Sequence, residues 1–154
     1  MSELYMLVGV PGSGKSTWLR NHAFDSMPIV LSTDDYIERE AALQGKTYNE
    51  IFDCSIAIAN DHMWKSAHAA FQSNATVVWD QTNLDVRGRR YKLSKVPLHY
   101  RKIAVFFNTP DLEEHARRLN GRPGKMIPQQ VINGMISRLV MPTIEEGFDY
   151  IIEQ

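Results

Sequence analysis

The stretch Gly9-Val10-Pro11-Gly12-Ser13-Gly14-Lys15-Ser16 decides how this chain is read. It fits the pattern Gly-x-x-x-x-Gly-Lys-Ser/Thr. Its flanks are those the pattern needs: Tyr5-Met6-Leu7-Val8 reads as a buried strand, and Thr17-Trp18-Leu19-Arg20 can begin a helix. In that setting, backbone N–H groups of the turn and the helix N-terminus surround phosphate oxygens. Lys15 reaches the β and γ phosphates of a nucleoside triphosphate, and Ser16 sets its hydroxyl on Mg²⁺. Glycine at 12 and 14 permits the tight wrap that a Cβ would obstruct. The competing reading is an ordinary glycine turn between strand and helix, which this context disfavours.

Outward from the loop, Pro28-Ile29-Val30-Leu31-Ser32 reads as a second short buried strand with Thr33-Asp34-Asp35-Tyr36 at its carboxyl end. In an open parallel sheet, ligand chemistry lies outside the strand C-termini. Asp34 is therefore the candidate base or hydroxyl-orienting group, with Asp35 beside it on the substrate side. The alternative makes Thr33-Asp34-Asp35 a helix cap for a helix starting near Tyr36 and running through Ile37–Leu43. A long helix follows over 49–71, with Phe52, Ile56, Ala59, Met63, Ala67 and Ala70 as its buried stripe.

Ala75-Thr76-Val77-Val78-Trp79-Asp80 is a third buried strand ending in a carboxylate. Asp80 is thus a candidate to hold Mg²⁺ from behind Ser16, its rival role being a helix cap. Thr82 and Asn83 in the next loop either order that loop or touch substrate, and the spacing does not separate the two. A short basic helix over 86–93 follows. Lys102–Phe107 is a fourth strand, Thr109 and Pro110 open a helix reaching Asn120, Pro128 opens another through Leu139, and 148–152 is a plausible fifth strand.

Arg118 and Arg122, four residues apart and followed by Pro123, Gly124 and Lys125, suit a movable lid over about residues 118–128. Their permanently charged heads can neutralise a phosphoryl group in transfer while the lid excludes water. The bland reading is an exposed basic loop. The fold expected is a single α/β domain over residues 1–154: a three-layer nucleotide-binding sandwich with a mostly parallel five-stranded sheet and an arginine-bearing lid.

Composition narrows the class. Lys+Arg 17 against Asp+Glu 18 gives a net charge of −1, so no global basic field advertises nucleic acid, although Arg87, Arg89, Arg90, Lys92 and Lys95 form a local cluster. A hydrophobic fraction of 44% with 23% charged residues excludes a disordered chain. The lone Cys54 excludes a disulfide scaffold and is expected to be a packed or half-packed helix residue. No secretory signal or bilayer-spanning run is visible, so a cytoplasmic location is expected.

These stations together resemble the polynucleotide kinase branch of the phosphate-loop (P-loop) kinases, especially the phage 5′-kinase domain. The glycine loop with Pro11 and Thr17-Trp18, the Asp34-Asp35-Tyr36 triplet, Thr82-Asn83-Leu84, and Arg118, Arg122, Lys125 and Pro128 match it in order. The resemblance spans Leu4 to about Arg138. It implies ATP-dependent, Mg²⁺-assisted transfer of the γ-phosphate to a hydroxyl of a nucleic acid, DNA favoured, with Asp34 as base. It also implies a donor site from Gly9, Pro11, Gly12, Ser13, Gly14, Lys15, Ser16, Thr17 and the two lid arginines. Asp34, Asp35, Thr82, Asn83 and Arg87 are the acceptor-side candidates.

Two departures stand out. Ile37 replaces the basic residue that engages a substrate phosphate in the phage kinases, and Gln81 precedes Thr82 with Asp80 one place earlier. The chain also resembles phage kinases that phosphorylate 5-hydroxymethyluracil within DNA, which implies a base hydroxyl as the acceptor. A small-molecule or nucleoside kinase is the alternative, and a non-kinase nucleotide switch a further one.

Overall fold

The computed structural model describes residues 1–154 in full. In chain order it runs β1 (Glu3–Val8), α1 (Lys15–Asn21), β2 (Ile29–Leu31), α2 (Thr33–Gln44), α3 (Tyr48–Gln72) and β3 (Val77–Trp79). It continues α4 (Val86–Leu93), β4 (Arg101–Phe106), α5 (Leu112–Asn120), α6 (Gln129–Arg138), a 3₁₀ turn (Ile144–Glu146) and β5 (Tyr150–Glu153). The strands form one sheet in the order β2-β3-β1-β4-β5, and every neighbouring pair is parallel.

Alternation along β1 makes the three layers. Leu4, Met6 and Val8 face a cluster with Met63, Ala67, Ala70 and Phe71 of α3, whereas Tyr5 and Leu7 face Trp18, Leu19 and Phe24 at α1. Strands buried on both faces must be apolar throughout, which is why β1 and β3 read as continuous hydrophobic runs. Leu4, Met6, Val8 and Trp79 are wholly buried, each contributing about 1.5–3 kcal/mol of transfer free energy. A third cluster, Ile37, Ala41, Ile51 and Ala59, joins α2 to α3.

The chain winds from β1 toward β2 and β3 on one side, then crosses to β4 and β5 on the other. The switch point falls at the carboxyl end of β1, where Gly9–Ser16 emerges, so topology alone opens a crevice there.

Local differences from the sequence reading have local causes. Ser32, extended at φ −142°, caps α2 by accepting the Asp35 N–H, so Thr33, Asp34 and Asp35 form the first turn and not the cap. Asp111, not Thr109, caps α5, accepting the Glu114 N–H. The inward stripe of α3 begins at Ile51 and Ser55, with Phe52 and Ile56 only half-buried, because the first turns pack against α2 and not the sheet. Cys54 is exposed, one position off that stripe.

Candidate active site

At the carboxyl ends of β1, β2 and β3 lies a cleft of about 1070 Å³ lined by 26 residues, of which only Trp18 and Phe107 are hydrophobic. Such a lining suits a highly charged ligand and not an apolar one.

The glycine loop forms one wall. Gly12 (φ 78°) and Gly14 (φ 106°) hold the left-handed backbone that turns the chain into α1. A Cβ on Gly12 would meet His115 and Leu119 of α5 at 3.2 and 3.3 Å; one on Gly14 would have room, so there the backbone angle alone requires glycine. His115 Nε2 sits 2.7 Å from the Pro11 carbonyl and Arg118 donates to the Gly12 carbonyl at 3.2 Å, pinning α5 onto the loop. The Gly9 N–H donates to the Thr82 carbonyl, tying the loop to the segment after β3.

Lys15 donates to the carbonyls of Gly9 and Val10 at 2.8 and 3.0 Å. Burial pulls its ammonium down to about 8, against opposing attraction from Asp80 and Asp34. The Ser13 hydroxyl is buried with no hydrogen-bond partner, and no side chain caps the N-terminus of α1. An orphaned donor beside an uncapped helix start, with the Lys15 ammonium held on carbonyls of the same loop, fits a phosphate group.

The cleft also offers oxygen donors suited to Mg²⁺, the Ser16 hydroxyl and the Asp80 carboxylate, which line it together. No group of three ligating side chains exists in the chain, so Ser16 and Asp80 can hold the ion only together with phosphate oxygens and water, as Mg²⁺ prefers. The capping alternative for Asp80 falls away, because α4 is capped by Asp85. Burial raises the Asp80 carboxyl, partly offset by Lys15.

The opposite wall is carried by α2. Tyr48 donates to Asp34 Oδ1 at 2.8 Å, and Lys125 donates to Asp34 Oδ2 at 2.8 Å and to Glu38 Oε1 at 2.7 Å. Burial pushes the Asp34 carboxyl up, but Lys125, Tyr48 and Arg122 outweigh it and leave the group below its ordinary value. Asp35 moves the other way, raised by partial burial and by its neighbours Glu38 and Asp34.

The segment expected as a lid lies across this cleft with both ends attached. Arg118 is held by Glu114 at 2.6 Å as well as by Gly12, while Arg122 lines the cleft and acts electrostatically on both Lys15 and Asp34. Glu114, holding Arg117 and Arg118, has its carboxyl lowered to about 2.

Two of the acceptor-side candidates, Asn83 and Arg87, lie outside the cleft lining. Asn83 is buried at φ 47°, donating to the carbonyls of Leu7, Trp79 and Gln81 and accepting from Lys92, so it orders the loop and does not line the cleft. Arg87 is exposed on α4, outside the cleft lining. The basic cluster of α4 disperses, because Arg89 is fully buried against Glu146 and Lys92 turns in to Gln81 and Asn83. Thr82 does line the cleft. Lys125 belongs to the lid pattern in the sequence, but its place at the site, like those of Tyr48 and Glu38, emerges only from the fold. An aromatic opening the second helix of a hairpin carries no signal of where its hydroxyl goes.

Residues 4–142 match the family described as "AAA domain". Over 161 residues the chain is 27% identical to heterogeneous nuclear ribonucleoprotein U-like protein 2 of Mus musculus, covering 98% of this chain but only 21% of that protein. It superposes on a chain of the Pnkp1/Rnl/Hen1 RNA repair complex with a TM-score of 0.67 and 24% identity, covering 89% of this chain and 43% of that one. Shikimate kinase from Acinetobacter baumannii, solved with shikimate, superposes at a TM-score of 0.57 and 24% identity, covering 99% of this chain and 83% of that one. The architecture is the P-loop kinase and ATPase fold, shared by proteins of different substrates.

Proposed function

This chain belongs to the AAA domain family, and from that premise we propose an ATP-dependent phosphotransferase that moves the γ-phosphate to a hydroxyl of a nucleic acid. The observation that carries the reading is the meeting of Lys15 and Asp34 in the lining of one cleft, which Arg122 also lines. A charge clamp facing an ionised carboxylate is what in-line transfer from a triphosphate to an alcohol requires.

Lys15 exchanges its two loop carbonyls for β- and γ-phosphate oxygens, and Ser13 and the α1 N-terminus add donors to the same oxygens. Ser16 and Asp80 would hold Mg²⁺, which when bound would supply positive charge against the phosphates. Asp34 accepts the acceptor O–H, aligns its oxygen on the γ-phosphorus, and takes the proton as the P–O bond to ADP breaks. Arg122 stabilises charge on the transferring group. Arg118 keeps α5 on the loop and reaches the same phosphates by turning from Gly12. A carboxylate already ionised suits late proton transfer.

The order of motifs supports a nucleic-acid acceptor. A second reading, a small-molecule or nucleoside kinase, draws on one feature: Ile37 is wholly buried where the phage kinases carry a basic residue, so α2 presents only the carboxylates Asp34, Asp35 and Glu38 to the cleft. The test offers γ-labelled ATP with a 5′-hydroxyl DNA strand, a hydroxymethyluracil-containing duplex and a nucleoside mixture, and maps the label by mass spectrometry. Label on either DNA supports the proposal. Label confined to the small molecules replaces it with the second reading.

A further inference from the structure

The contacts of Lys125 are of an unusual kind for a residue in an irregular loop. Its side chain is only 8% exposed, though the loop around it is open to solvent. The ammonium bridges Asp34 Oδ2 and Glu38 Oε1 and stands 4.4 Å from the centre of the Tyr48 ring, whose hydroxyl donates to the other Asp34 oxygen. Asp34 is therefore gripped on both oxygens by two groups that also touch each other. Each oxygen keeps one lone pair for an incoming hydroxyl.

The backbone around Lys125 is clipped to the same hairpin. Asn49 Nδ2 donates to the Met126 carbonyl at 2.8 Å, the Met126 N–H donates back to Asn49 Oδ1 at 2.9 Å, and the Asn49 N–H donates to the Gly124 carbonyl at 3.3 Å. Gly124, at φ 70°, lies so close to Thr47 that a Cβ would meet its side chain at 3.2 Å. Thus the ammonium is delivered to Asp34 by a strap whose position is set independently of the ion pair. That is the condition for a charge to be pre-organised and not merely attracted.

We propose that Lys125 is a positioning residue for the phosphotransfer, holding the Asp34 carboxylate aimed into the cleft while the strap carries Arg122 across it. The inference deepens the reading of Asp34 as base. The charged and titratable groups facing Asp34 are Lys125 and Arg122 from the strap, Tyr48 from α3, Asp35 and Glu38 from its own helix, and Lys15 and Asp80 across the cleft. Among them Lys125 is the one cation in direct contact. An ordinary surface ion pair would do little for Asp34, but one with its cation buried and stacked on an aromatic ring resists screening.

The test uses the whole chain with ¹³C-labelled aspartate, following the Asp34 carboxyl resonance, identified by its loss in Asp34→Asn, through the acid range. In the parent chain the midpoint should lie below that of ordinary aspartate. Lys125→Met should raise it by about one pH unit or more, and Lys125→Arg should restore most of the difference. Tyr48→Phe should raise it by less. A parent midpoint at or above the ordinary value overturns the proposal even if Lys125→Met fails to fold, as does an unmoved midpoint in a folded Lys125→Met. With ATP and a 5′-hydroxyl DNA strand, Lys125→Met should lower kcat and shift its acid limb upward, leaving KM for ATP unchanged. If the parent chain phosphorylates neither that strand nor a hydroxymethyluracil-containing duplex, the acceptor reading fails while the titration still decides the role of Lys125.

Discussion

Arg89 and Glu146 meet inside the protein in a two-pronged ion pair, Nε to Oε2 at 2.7 Å and Nη2 to Oε1 at 2.8 Å, with side-chain exposures of 0% and 1%. Arg89 Nη1 donates to the carbonyls of Asn83, Leu84 and Val140. Glu146 Oε1 also accepts the Thr143 N–H. The pair therefore staples the loop behind Asp80 and Thr82 to the segment leading into β5. Desolvating two charges is costly, and the cost is offset here by fork-on-fork geometry and a full set of partners.

Removing one member should leave the other charge buried alone. Arg89→Met or Glu146→Gln is expected to destabilise the fold by about 3–5 kcal/mol, read from denaturant unfolding. The double replacement Arg89→Met/Glu146→Gln should cost less than the sum of the two singles. Additive losses would show that the two groups do not depend on each other.

Asp34→Asn keeps the shape of the side chain and most of its contacts but removes the base. Turnover with ATP and the accepted hydroxyl substrate should fall by about 10²- to 10⁴-fold, with ATP affinity by calorimetry little changed. Equal turnover would remove Asp34 from the chemistry.

Lys15 sets a pH dependence in the alkaline range. Its ammonium is lowered to about 8 by burial, so in the free protein it loses its proton well before an unfolded lysine does. Between those two values the unfolded chain binds more protons, and Lys15 makes the free fold more stable as pH rises. Phosphate binding needs the charged form. ATP affinity should therefore fall as pH climbs above about 8, by at most about tenfold per pH unit. Lys15→Met should bind weakly and lose this dependence, as calorimetry across that range would record.

Gly124→Ala tests the anchorage of the strap. The left-handed φ of 70° costs a non-glycine residue about 1–2 kcal/mol, and the new methyl would press on Thr47. Exchange of the Met126 amide hydrogen, which is bonded to Asn49, should quicken markedly while amides of β1 keep their protection. Unchanged exchange at Met126 would mean that the strap is not held there.

How much of this was readable in advance depends on the range of the interaction. The Gly9–Ser16 turn, the five strands and their order along the chain, and the placing of Asp34 and Asp80 at strand ends all follow from neighbours in sequence. Backbone angles open only to glycine, unbroken apolar runs and parallel-sheet topology are local or rule-bound. Even so, α2 is capped by Ser32 and not from within Thr33-Asp34-Asp35, because the residue in extended conformation is set by where the strand lets go of the sheet. The first turns of α3 likewise show one more residue's rotation than the stripe suggested, because their packing partner is α2.

The long-range pairs were beyond such reading. Arg89 looked like part of a solvated basic patch with Arg87, Arg90, Lys92 and Lys95, yet it is buried by a glutamate 57 residues away. Asn83 was open to a substrate role, yet its amide is used up on the Leu7 carbonyl 76 residues back. Lys125 meets Asp34 across 91 residues. The amino-acid order alone determined that a phosphate loop, a strand-end carboxylate and spaced arginines would be present and face the same side of a sheet, because each is written in periodicity and turn chemistry. Which charge answers which was decided only in the tertiary structure, since an ion pair depends on the distance left after packing, and spacing along the chain carries no record of that distance.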